Sequence, residues 1–108
     1  MSLASELESK YAALAAQATD ETVSTASVQV MLNNPSVQAI IGMGTDALPL
    51  LFRDLRGSAR GYDWKMATIA TILKTHGLPP VRISEESKGV LRRMVWCYIG
   101  YGRAHSYL

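Results

Sequence analysis

The chain has 108 residues, 48% hydrophobic and 19% charged, which suits one domain around one core and excludes an unfolded chain. Cys97 is the single cysteine, so an intrachain disulfide and a four-cysteine zinc site are both excluded. The net charge of +2 hides a division: residues 1–50 carry Lys10 against five acids, net −4, and residues 51–108 carry ten bases against four acids, net +6.

From the N-terminus, Leu3, Leu7, Tyr11, Leu14 and Ala18 recur at helical spacing and form a narrow apolar stripe on an alanine-rich helix. Ser2 or Ser5 suits its cap. A narrow stripe with a small or polar outer face resembles a pairing seam, so residues 1–20 are expected to form an arm that pairs with a partner or a twin, ahead of a helical core domain over 21–108. Thr19 to Thr22 reads as the cap of a second helix, about Glu21 to Leu32, burying Val23, Ala26, Val30 and Met31. Asn34-Pro35 is a restart, with Asn34 as N-cap and Pro35 at the first helical position. That third helix ends at Gly42-Met43-Gly44. Thr45 and Asp46 open a fourth, whose Pro49 is tolerable only in the first turn, with Leu48, Leu51, Phe52 and Leu55 as its apolar face. After a loop over 57–61, Asp63 caps a fifth helix from Trp64 to Thr75, with Trp64, Ala67, Ile69, Ile72 and Leu73 for the core. Leu78-Pro79-Pro80 reads as an extended connector. Ser84-Glu85-Glu86-Ser87 starts the last helix, which runs through Leu91, Met94, Val95 and Tyr98. No run of alternating polarity reads as a strand. The expected fold class is all-α: a compact single-domain array of five or six short helices.

The block Asn34 to Gly44 with its Ile40-Ile41-Gly42-Met43-Gly44 turn, then Ala47-Leu48-Pro49-Leu50-Leu51 and Leu55, resembles a family of small bacterial proteins. Members of that family carry a proline-led helix, this IIGMG turn, a P-LL-L helix, a tryptophan-led helix and a W-x-x-W-G-R-x-x-G-Y-L tail. The tail corresponds to Tyr98, Tyr101, Gly102, Arg103, Tyr107 and Leu108, and the tryptophan-led helix to Trp64 and Ala67, so the likeness spans residues 30–108. Three departures stand out. Lys65 and Met66 replace aromatic neighbours of the tryptophan, Thr75 to Val81 replaces a T-G-E-D-P-V loop, and Ser106 replaces the tail glycine. The family has no established activity. The resemblance implies the helical fold and, by association with mobile elements, an antitoxin-like or regulatory role.

The residue types point away from catalysis. Cys97 lies mid-helix among apolar neighbours, His76 and His105 stand apart, no carboxylates pair in apolar surroundings, and no cluster has metal-ligand spacing. No enzyme activity and no cofactor is expected. The glycines of the IIGMG turn read as a steep change of helix direction, since no strand precedes them and no phosphate-binding lysine follows. No apolar run approaches the ~18 residues of a membrane span, and residues 1–17 lack the pattern of a secretory signal, so a cytoplasmic chain is expected. The expected function is binding another protein, or a second copy, through Leu7, Tyr11 and Leu14 of the first helix and Tyr98, Tyr101, Arg103 and Tyr107 of the aromatic tail. The alternative is a DNA-binding regulator using Lys88, Arg92 and Arg93. The long proline-containing gap before that helix, and Glu85 and Glu86 at its start, weigh against it.

Overall fold

The structure, a computed structural model, describes residues 3–24, 27–57 and 64–108. The order is α1 (Leu3–Thr22), α2 (Val28–Asn33), α3 (Pro35–Gly42), a 3₁₀ turn (Gly44–Ala47), α4 (Leu48–Gly57), α5 (Trp64–Thr75) and α6 (Leu91–Ala104). The all-α expectation holds: no strand occurs among the described residues. Helices α4 and α5 form the centre. Trp64, Phe52, Leu48, Leu51, Leu55, Ile69, Ile72 and Leu73 are fully enclosed there, α1 packs across α3 on one side, and α6 packs against α4 on another.

Several boundaries follow from cap chemistry. The Asn34 side chain accepts from the Ser36 and Val37 amides at 2.9 and 3.2 Å, and Pro35 occupies the first turn. Pro49 falls in the first turn of α4, after the 3₁₀ turn that Thr45 and Asp46 occupy. Helix α5 spans the residues its apolar spacing predicts, and Met66 and Thr68 join its buried face.

Two boundaries differ from expectation. Thr19 to Thr22 does not cap a second helix; it is the last turn of α1. The Thr22 hydroxyl donates back to the Ala18 carbonyl at 2.7 Å, leaving Ser27 to cap α2 by accepting from the Val30 amide at 3.4 Å. With that shift Met31 is buried as expected, but Val23 is 78% exposed and Val30 is exposed too. The last helix does not begin at Ser84. Residues 85–89 form turns, Gly89 has φ +79°, and α6 starts at Leu91 behind Val90. Ser84 and Ser87 bond each other at 2.7 Å instead. The Ser2 and Asp63 caps, Ala26 and the loop after Gly57 lie outside the described residues.

Helix α1 is part of the core. Tyr11, Ala15 and Ala18 are buried, and the Tyr11 hydroxyl donates to Asp54 of α4 at 2.9 Å. Trp64 Nε1 donates to the Thr19 hydroxyl at 3.0 Å, tying the start of α5 to the end of α1. Of the stripe read as a pairing seam, Tyr11, Leu14 and Ala18 therefore pack within the chain, where α1 meets α3 and α5, and Leu7 is half-buried. Among the described residues no helix is long and apolar enough to cross a membrane.

Candidate interaction face

Helix α6 has two faces of opposite character. Val95, Tyr98 and Gly102 point inward and are buried. The outward row holds Arg92, Trp96, Gly100 and Arg103, with Arg93 and Ala104 alongside, all exposed. Helical geometry explains the split: each residue turns by about 100°, so Trp96 lies about 200° from Tyr98 and the two rings cannot share a face. Trp96 is 68% exposed, the most exposed aromatic side chain among the described residues. An indole held out in water on an ordered helix, with three arginines around it, is the surface feature that the core does not account for.

The aromatic tail divides differently. Tyr98 is buried and Tyr101 and Tyr107 are half-buried. Phe52 of α4 stacks with Tyr101 at 6.0 Å between ring centroids and with Tyr107 at 5.4 Å, and His105 stacks on Tyr101 at 4.0 Å. The Tyr101 hydroxyl donates to the Pro79 carbonyl at 2.6 Å, and burial, with the neighbouring Tyr107, raises its pKa above the ordinary value. These rings close one end of the core; of the tail residues expected to bind a partner, Arg103 is exposed on the α6 row.

Of the first-helix residues, Tyr11 is buried, whereas Leu7 and Leu14 are half-buried at its flanks. An open groove of about 1230 Å³ runs beside Tyr11, between α1 and the facing ends of α4 and α5, and neither leucine lines it. Glu8, Ala12, Ala16 and Asp20 form its α1 wall, at intervals of one turn; Leu50, Arg53, Asp54 and Lys65 face them. Arg53 lies 3.6 Å from Glu8, and the Lys65 ammonium sits 5.1 Å from the Trp64 ring centroid. Neither Cys97 nor a histidine lines the groove. Among the described residues no three His, Cys, Asp or Glu side chains converge to hold a metal ion.

The nucleic-acid candidates are partly engaged. Lys88 lies in the turn before α6 and pairs with Glu85 at 2.7 Å; Arg93 donates to the Glu86 carbonyl at 3.1 Å. Arg92 is exposed beside Trp96. Because α6 starts at Leu91, Glu85 and Glu86 do not occupy its first turn, contrary to the sequence reading.

Trp96 is not among the residues that the sequence points to for partner binding; the signal that could have found it was the apolar pair Val95 and Tyr98, which fixes the inward face of α6 and leaves position 96 outward. No protein-family profile matches the chain, and comparison with curated proteins and with solved structures gives no match.

Proposed function

We propose that the chain is a non-enzymatic protein-binding module and that the outer face of α6 is the surface it presents. The observation that carries this reading is Trp96, 68% exposed between Arg92, Arg93 and Arg103. Tryptophan and arginine dominate the binding energy of protein interfaces, because a large ring buries much area and the guanidinium makes several directed bonds. Tyr101 and Tyr107, stacked on Phe52 of α4, support the scaffold beneath that face. The resemblance to small bacterial proteins favours an antitoxin-like or regulatory role in the cytoplasm.

The test places a photo-crosslinking residue at position 96, and a control at exposed Gln38, in the cell that encodes the protein. A protein adduct formed at 96 and absent at 38 is the expected result. Equal labelling at both positions, or none, overturns the reading.

A second reading, DNA binding through Lys88, Arg92 and Arg93, draws support from the absence of Glu85 and Glu86 from the first turn of α6. Phosphate contacts make binding fall steeply with salt, so a gel-shift titration with duplex DNA at low and moderate salt separates the two. No retardation at low salt removes it.

A further inference from the structure

From the charges and spacings of two helices we infer that the partner of the α6 face is a second copy of this chain, docked through the α1 wall of the groove. This rests on the reading that α6 is a protein-binding face and names its occupant.

The two surfaces complement each other in charge and in the axial spacing of those charges. Along α6, Arg92 and Arg103 stand eleven residues apart, about 16 Å at 1.5 Å per residue, with Trp96 and Gly100 between them. Along α1, Glu8 and Asp20 stand twelve residues apart, about 18 Å, with Ala12 and Ala16 between them. Bases flank a bulky ring on one surface; acids flank small side chains on the other. The groove beside Ala12 and Ala16 offers an apolar floor for the indole, and no Cβ obstructs close approach at Gly100. Asp54 adds a third carboxylate on the far wall. Arg53 and Glu8 pair at 3.6 Å and offset each other, and the Lys65 ammonium lies over the Trp64 ring, so the negative charge left on the groove comes from Asp20 and Asp54. Within one chain α1 packs on α3 and α5 while α6 packs on α4, so these two surfaces serve different sides of the core. The opposite net charges of residues 1–50 and 51–108 agree with an acidic surface of one copy meeting a basic surface of the next. A contact between unlike surfaces closes a dimer when a two-fold axis repeats it, and otherwise propagates head to tail.

The experiment is sedimentation equilibrium of the full chain across micromolar to millimolar concentration, with two charge variants. One carries Arg92→Glu and Arg103→Glu; the other carries Glu8→Lys and Asp20→Lys. All four positions are exposed, and circular dichroism checks that each variant stays helical. The expected result is a mass rising above 11.8 kDa for the native chain, monomers for each variant alone, and renewed association when the variants are mixed, since each mixed contact again pairs unlike charges. A native chain that stays monomeric throughout, or variants that associate as well as the native chain, overturns the second copy as partner. The adduct at position 96 then judges the α6 face separately, because a foreign protein captured there retains that face and removes only this occupant.

Discussion

Ser106 has φ +65°, the one non-glycine residue with positive φ among the described residues. It closes α6 in a Schellman turn: the Tyr107 amide donates to the Gly102 carbonyl at 2.8 Å, and the Ser106 amide to the Arg103 carbonyl at 3.3 Å. The end of α5 has the same bonds, from Leu78 to Leu73 and Gly77 to Lys74, but there the left-handed position is a glycine. A side chain in that conformation is strained, so Ser106→Gly should raise stability by about 0.5–1 kcal/mol, read from the urea midpoint. The two glycines inside α6 should respond oppositely to alanine. A Cβ at Gly102 would lie 2.9 Å from Phe52, whose ring is fully buried and stacked by Tyr101 and Tyr107 and so has little room to yield. Gly102→Ala should cost about 1–3 kcal/mol, whereas Gly100→Ala, with open space beside it, should gain about 0.5–1 kcal/mol. Tyr101 gives a pH signature. Its folded pKa is raised, so its contribution is complete below the ordinary tyrosine value near 10 and is lost as pH climbs through the folded value. Stability should therefore decline on the alkaline side, and Tyr101→Phe should flatten that decline in thermal unfolding followed against pH.

At the scale of elements, legibility tracked the directness of the capping signal. Asn34-Pro35 states both the cap and the first helical residue, and Pro49 admits one placement, so α3 and α4 were readable. For α1 and α2 the signal was divided. Thr19, Thr22 and Ser27 can all cap, and what selects among them is long-range: Thr19 accepts the Trp64 indole bond, and Thr22 turns back on Ala18. At α6, Ser84 and the following carboxylates have the composition of a helix start, but the Ser84–Ser87 bond and the turn at Gly89 take precedence. Asn34 also joins elements, since its amide donates to Glu21 at 3.2 Å while its oxygen caps α3. Asn34→Ala should lower stability by about 0.5–2 kcal/mol, and Asn34→Ser, which keeps a capping oxygen but loses the donor to Glu21 without adding charge, should recover most of it. A loss undiminished by serine would move the effect from the cap to the Glu21 contact.

The whole molecule has a radius of gyration of 13.2 Å, close to the about 13 Å of a compact chain this long. Helix α1 belongs to that globule. It supplies Tyr11, Ala15 and Ala18 to the core and holds Asp54 and Trp64. Deleting residues 1–20 should leave a chain that loses cooperative thermal unfolding by circular dichroism; a truncated protein as stable as the intact one would return α1 to the status of a separable arm. Helical periodicity, proline and asparagine placement and the division of charge were already present in the order of residues, because each acts over one or two turns of backbone. Those local rules determined the all-helical class, the α3 to α5 boundaries and most of the α4 and α5 core. Which stripe of each helix faces another, and hence that Tyr11 is enclosed while Trp96 is left in water, depended on contacts between segments tens of residues apart. Only tertiary packing decides that, since an apolar stripe meets a neighbouring helix and a partner's surface by the same physics.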